Sequence, residues 1–338
     1  MPEIDSITIQ GFKSIASIDD LKLGAINVVI GPNGSGKSNF IGVFSFLHAI
    51  RQGHLQSFVA EAGGADRVLH FGSKVTTELR IHVSFDGGVN QYKLVLGPTS
   101  SDELAVREET GVTAFVQRHF DRWRLYHFHD TSSSSPMKKT ADLNDNRYLR
   151  PDGSNLAAFL YFLKAKHPAS YQLIRRSVQR VAPFLDDFQL EPMQLNNEKI
   201  RLEWRHQGTE AYFHAASLSD GTLRFLALAT LLLQPRELRP SVILVDEPEL
   251  GLHPFAISLL AALIKQASIE TQVIISTQSP LLLDNFEPEE VLVADRVDGG
   301  TQLTRLESAK LQSWLEDYSL GQLWEKNELG GRPAAESR

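Results

Sequence analysis

The residues "GPNGSGKSN", 31–39, decide how the rest of the chain is read. They match G-x-x-x-x-G-K-[ST] in full, with Gly31, Gly36, Lys37 and Ser38 at the fixed positions. Such a loop has one physical task. Backbone N–H groups must converge on phosphate oxygens, and side chains would obstruct the approach. The helix that follows presents its first N–H groups, which lack intrahelical partners. Lys37 is placed to reach the β- and γ-phosphates, and the Ser38 hydroxyl to ligate Mg2+. Asn33, Gly34, Ser35 and Asn39 complete the candidate phosphate-binding stretch. The context fits. The apolar run "AINVVI" (25–30) precedes it as a buried strand would. In "SNFIGVFSFLHAI" (38–50) apolar residues recur at helical spacing, as in a helix packed on a sheet.

A phosphate loop of this kind needs an acidic partner for the metal. "VILVDEPELGLHP" (242–254) supplies one. Four apolar residues, Val242 to Val245, form a strand that delivers Asp246 to its polar end. Asp246 is positioned to bind Mg2+, and Glu247 to accept a proton from an attacking water. A third stretch, "SLSDGTLRFLAL" (217–228), offers hydroxyls and a glycine at the start of an apolar helix. Ser219 and Gly221 there suit an anion; Ser219 or Asp220 could equally be a plain helix cap. A fourth, "VIISTQSP" (273–280), ends an apolar strand in small polar side chains. Gln278 is either a strand-end polar residue or a neutral hydrogen-bond donor to the site, since an amide cannot shuttle a proton.

The bulk numbers bound the class. The chain has 338 residues, 42% hydrophobic and 22% charged, as a folded protein with a real core requires. It lacks cysteine, which excludes disulfides and thiolate metal sites. The formal net charge of -7 argues against a broad nucleic-acid footprint, though "RRSVQR" (175–180) is a local basic candidate, or an ordinary solvated face. Met1 to Asp20 shows no secretory leader, and no apolar run is long enough to span a bilayer, so a cytoplasmic protein without a membrane partner is expected.

Strands are expected at 4–12, 20–31, 77–85, 89–97, 125–129, 188–195 and 199–206. Residues 155–185 read as two helices broken near His167 by Pro168. After residue 216 helix and strand alternate: helices at 219–234 and 254–267, strands at 241–247, 271–277 and 290–297. "TSSSSPMKK" (131–139) has the composition of a loop.

Together these pieces resemble the ATP-binding-cassette type of ATPase head. The chain is most similar to the branch containing RecF, RecN and the SMC proteins, and within it to small stand-alone RecF-like predicted ATPases. "GFKSI" (11–15) is similar to that group's N-terminal strand-turn, "LSDGT" (218–222) to its signature, "ILVDEPELGLHP" (243–254) to its Walker B, catalytic glutamate and D-loop, and "DYSLGQLWEKNELGG" (317–331) to its ending. "STQSP" (276–280) stands where many relatives carry a histidine. The resemblance implies an α/β P-loop NTPase of the ABC-ATPase head type, with an inserted mixed α+β arm. Residues 1–75 would form the N-terminal lobe, 76–215 a region partly head sheet and partly arm, 216–331 the C-terminal lobe, and 332–338 a tail. It implies ATP and Mg2+ as ligands and a head-to-tail homodimer. Lys37 and Glu247 would act in catalysis, Gln278 would sense the γ-phosphate, and Ser219 with Gly221 of one chain would close over ATP held by the other.

Two departures stand out. Residues 51–215 are mixed strands and helices, not the long coiled coil of SMC proteins. No clear Q-loop is present; "YHFHDTS" (126–132) lies in its region, where His127, His129 or Asp130 could substitute or form a metal site, or the stretch could be a plain junction between sheet and arm. Three functions follow: an ATP-driven switch in DNA repair or genome maintenance, with DNA as partner; the ATPase subunit of an anti-phage defence or toxin system acting on a separate nuclease or effector; or a binding module locked by ATP, with incidental turnover.

Overall fold

The computed structural model describes residues 4–330; the tail expected at 332–338 lies outside them. The chain forms two compact units. One holds the residues up to Leu125, Pro240–Glu247 and the chain from Thr271; the other holds Tyr126–Arg239 and Pro248–Glu270.

The first unit is built on two sheets. An antiparallel sheet runs in the order Ile15–Lys22, Ile4–Phe12, Leu79–Phe85, Asn90–Pro98, Leu104–Thr110. A second sheet runs in the order Gly300–Arg305, Val291–Val297, Ile26–Ile30, Gln272–Thr277, Val242–Asp246, with Arg124–Tyr126 on the far edge. Its strands from Val291–Val297 to Val242–Asp246 are parallel to one another. The helix Lys37–Arg51 buries Phe40, Ile41, Phe44 and Phe46 in a core shared with Ile9, Ile81 and Leu94 of the first sheet and Val29, Leu244 and Ile274 of the second. Buried on almost every side, this helix has the all-round apolar pattern the sequence shows.

The 20–31 run is not one strand, as its composition suggests. Ile15–Lys22 pairs with Ile4–Phe12, and Ile26–Ile30 lies in the other sheet. Buried Asn27 makes the break. Its Oδ1 accepts from Gly24 N (3.0 Å) and its Nδ2 donates to Gly24 O (2.9 Å), a local turn that sends the chain from one sheet to the other. A buried side chain helps to tie the sheets. Gln272, 2% exposed, accepts from Ile4 N (3.0 Å) and donates to Ile4 O and Gly24 O (2.9 Å each).

The expected strands at 77–85 and 89–97 are present, joined at Asp86, Gly87 and Gly88, which all take positive φ. Strand Leu104–Thr110 is unannounced in the sequence because only Leu104 is buried and the rest reads as a polar run. The 125–129 expectation shortens to Arg124–Tyr126.

The second unit packs the helices Leu156–Lys166, Pro168–Val181, Asp220–Leu233 and Pro254–Ser268 with two small antiparallel sheets. The helical break falls at His167, as Pro168 requires. The strands expected at 188–195 and 199–206 each divide. Leu185–Gln189 and Glu203–His206 pair in one sheet, and Pro192–Met193 and Asn196–Ile200 in the other. The chain changes sheets at the buried Leu190 and Leu202, so one apolar run serves two surfaces. In "RRSVQR", Arg175 bonds Asp186 O and lies beside the Asp186 and Asp187 carboxylates, while Arg176 and Arg180 are exposed; the stretch is a solvated helix face. Among the described residues no helix is long and apolar enough to cross a membrane.

Replacing Gln272 by Ala strands the Ile4 backbone groups away from water. The expected cost is about 2–3 kcal/mol, read as a lower midpoint in denaturant unfolding. An unchanged midpoint would show that the clasp contributes nothing.

Candidate functional site

Register alone gathers the site. In the parallel sheet Asp246 lies opposite Ser276, Ser276 opposite Val29, and Thr277 opposite Ile30. The loop beginning at Gly31 therefore leaves the sheet at the edge where Asp246, Glu247 and Gln278 emerge. This is the carboxyl edge of parallel strands, where open α/β sheets bind ligands.

The side chains meet there. Ser38 Oγ donates to Asp246 Oδ2 at 3.2 Å, and Ser276 Oγ donates to Asp246 Oδ1. Gln278 Nε2 donates to Glu247 Oε1. A hydroxyl beside a carboxylate is the hard-oxygen donor set that Mg2+ takes.

Backbone strain marks the same place. Among the described residues, eight non-glycine residues have positive φ. Five are Asp or Asn, which tolerate it in turns. The other three are Lys13 (φ 48), Phe71 (φ 54) and Glu247 (φ 42). Such conformations cost about 1–3 kcal/mol each and collect at functional sites. At Glu247 the strain is held by its N–H, which donates to Ser276 O at 3.0 Å. Lys13 and Phe71 both line a cleft of about 750 Å3 with Asn39, Asp66 and Arg67. Burial pushes the Lys13 ammonium pKa down. The sequence reading singles out neither Phe71 nor, within "GFKSI", Lys13 itself, because what marks them is a dihedral angle.

The loop itself is shaped for an anion. Gly34 (φ 82) and Gly36 (φ 99) are left-handed, and Gly36 precedes the helix without any side-chain cap, so the helix N-terminus is not closed from within. A Cβ on Gly31 would sit 2.5 Å from Ala294 O. Lys37, 5% exposed, folds along the loop and donates to Gly31 O (2.7 Å) and Pro32 O (3.0 Å). The Ser35 hydroxyl is buried in the loop without a hydrogen-bond partner, and Asn33 is exposed. Asn39 turns its amide to Ser14 Oγ at 2.7 Å. An unsatisfied hydroxyl, left-handed glycines and an uncapped helix together fit a phosphate group.

Ser219 and Gly221 belong to the second unit. Ser219 caps the helix Asp220–Leu233: its Oγ accepts from Thr222 N at 3.2 Å. A Cβ on Gly221 would lie 2.5 Å from Gly251 O, so glycine is needed where the helix start meets the "ELGLHP" turn. Arg224, one turn further, donates to Phe128 O and His129 O, both at 2.9 Å. Lys138 donates to Thr131 O and lies 3.4 Å from Asp220 Oδ1. The stretch in the Q-loop region is thus fastened through its backbone. Asp130 accepts from the Ser132 hydroxyl and N–H, which hold its carboxyl below the usual range. Among the described residues no group of three or more His, Asp or Glu is arranged to hold a metal, so the alternative of a metal site at His127, His129 and Asp130 is set aside.

Comparison with known proteins gives the family and the fold. Residues 26–284 match the family described as "AAA domain, putative AbiEii toxin, Type IV TA system". The chain belongs to this AAA-domain family. Its fold is that of SMC heads. An Smc head bound to the C-terminal winged-helix domain of ScpA is similar with a TM-score of 0.67 at 16% identity, over 92% of this chain and 100% of that one. A Pyrococcus furiosus Smc head domain with an extended coiled coil, bound to the C-terminal domain of ScpA, gives 0.62 at 14% identity, over 94% and 99%. The fold class read from the motifs, an α/β ATPase head carrying an inserted arm, therefore holds. Among curated proteins, "Urease accessory protein 2" of Cryptococcus neoformans var. grubii is 35% identical over 114 residues, 32% of this chain and 8% of that protein. The "Chromosome partition protein Smc" of Desulfitobacterium hafniense is 65% identical over 37 residues, 11% of this chain and 3% of that protein. The chain spans under a tenth of the length of either curated relative.

The Gln278–Glu247 contact makes a prediction about turnover. Gln278→Ala should lower kcat for ATP on the order of tenfold, by loosening the glutamate, while the Kd for ATP stays within about twofold. Steady-state kinetics with a binding titration check it; an unaltered kcat would remove Gln278 from the site.

Proposed function

We propose that the chain binds Mg2+·ATP and hydrolyses it, and that nucleotide closes two copies head to tail. The observation that carries this reading is the meeting of Ser38, Asp246, Glu247 and Gln278 where the phosphate loop leaves the sheet. The loop N–H groups and Lys37 bind the β- and γ-phosphates. Lys37 exchanges the Gly31 and Pro32 carbonyls for phosphate oxygens. Ser38 and Asp246 hold Mg2+, which when bound offsets charge on the phosphate oxygens. The cleft beside Asn39 takes the rest of the nucleotide.

Glu247 is the base. Gln278 fixes one carboxylate oxygen of Glu247, which leaves the other for water. As water oxygen bonds to the γ-phosphorus, the bond to the bridging oxygen breaks, ADP departs, and the water proton passes to Glu247. The polar cluster Ser276–Ser279 carries no titrating side chain and Asp246 is committed to Mg2+, so base catalysis rests on Glu247. In the closed dimer, Ser219 and Gly221 of one chain cover the γ-phosphate bound by the other, with the helix start behind Ser219 supplying N–H groups. A single chain holds half of each site and turns over slowly.

The cycle serves as a conformational switch in the cytoplasm, in DNA repair or genome maintenance. The likeness to SMC heads supports this role. Two of those heads are bound to ScpA, which favours a protein partner for this chain too. A second reading has its own support. The family description names a toxin of a toxin–antitoxin system, and the net charge of -7 suits a protein effector or nuclease better than DNA.

Glu247→Gln, which binds ATP without consuming it, should elute as a dimer on a sizing column with ATP and Mg2+ and as a monomer without. A monomer at saturating ATP would contradict head-to-tail closure. DNA should raise the ATPase rate of the wild-type protein, with an effect that fades as salt rises. Absence of stimulation by single-stranded and duplex DNA would favour the effector reading.

A further inference from the structure

The phosphate loop is held from behind by a chain of hydrogen bonds. Thr301, 3% exposed in the strand Gly300–Arg305, donates its hydroxyl proton to Ser35 O at 2.9 Å. Its Oγ1 lies 2.7 Å from Ser14 Oγ, and Ser14 Oγ lies 2.7 Å from Asn39 Nδ2. The Thr301 backbone N–H also donates to Ser14 O at 2.7 Å.

The direction of this chain is determined. A hydroxyl has one proton, and a carbonyl cannot donate. Thr301 gives its proton to Ser35 O, so Ser14 must be the donor to Thr301 Oγ1. The Asn39 amide then donates to Ser14 Oγ. Each hydroxyl accepts once and donates once, and the relay ends on the carbonyl of Ser35.

That carbonyl matters because of peptide geometry. In a trans peptide the C=O of Ser35 and the N–H of Gly36 point in opposite directions from one plane. Fixing the carbonyl behind the loop turns the Gly36 N–H to its front, the side a phosphate must occupy. Contact is close: a Cβ on Gly36 would overlap Thr301 Oγ1 and lie 2.7 Å from Ser14 Oγ. Glycine at 36 therefore answers two demands, its left-handed φ and the relay at its back.

We infer that Thr301 is a positioning residue for phosphate binding, acting with Ser14 and Asn39 to orient the Ser35–Gly36 peptide. The inference rests on the nucleotide reading above and deepens it. It places a residue of the C-terminal hairpin, 266 positions from the Ser35 carbonyl it fixes, in the phosphate site, and gives "GFKSI" a task through Ser14.

The test is ADP affinity by titration with a fluorescent ADP derivative. Thr301→Val keeps the shape and removes the donor; it should weaken ADP about tenfold, the worth of one hydrogen bond. Thr301→Ser keeps the donor and should restore affinity to within about twofold, which a role in packing alone would not. Ser14→Ala, which breaks the relay one step back, should weaken ADP by a smaller factor, and carries the test if Thr301→Val fails to fold. Wild-type affinity in both Thr301→Val and Ser14→Ala, or Thr301→Ser as weak as Thr301→Val, would overturn the relay and leave the nucleotide reading intact. Failure of the wild-type protein to bind ADP or ATP would overturn that reading and the relay with it.

Discussion

Parallel register is the constraint on which the site depends. Because Asp246, Ser276 and Thr277 are locked opposite one another and opposite Val29 and Ile30, the three strand ends stop at one edge. A slip of one residue would turn Asp246 to the other face of the sheet and separate it from Ser38. The register is specified by burial on both faces: Val242 to Val245 and Val273 to Ile275 are almost wholly inaccessible. The apolar core thus does more than stabilise. It decides where the carboxylates stand.

Secondary contacts refine what register delivers. Asn27 and Gln272 seat the strand that feeds the loop, Ser276 holds both the Asp246 carboxylate and the Glu247 backbone, and Gln278 holds the Glu247 side chain. The hydroxyls of Ser14 and Thr301 close the loop from behind. Most of these groups are polar, buried and fully paired, so the site is rigid where it must face charge. The strained φ of Glu247 is the local cost of turning its carboxylate off the end of the strand.

Much of this was legible in the sequence. Local motifs with fixed spacing named Lys37, Ser38, Asp246 and Glu247, and the alternation of helix and strand after residue 216 matched the fold. What was not legible has physical reasons. The break at Gly24 is written in one amide inside an apolar run, and Leu104–Thr110 hides because its strand is mostly exposed. Lys13 and Phe71 reach the cleft through backbone angles, and Thr301 reaches Ser35 across a sequence separation no motif covers. Ser219 is a helix cap in the structure, as its residue type allowed, and a cap and an anion site use the same N–H groups.

The central claim is that this edge of the sheet is a Mg2+·ATP site. Calorimetric titration of ATP into the wild-type protein, with and without Mg2+, tests it most directly. The account predicts saturable binding of one ATP per chain, tighter with Mg2+, and loss of the Mg2+ effect in Asp246→Ala. Absence of saturable heat with Mg2+ present, or a Mg2+ effect that survives in Asp246→Ala, would contradict it.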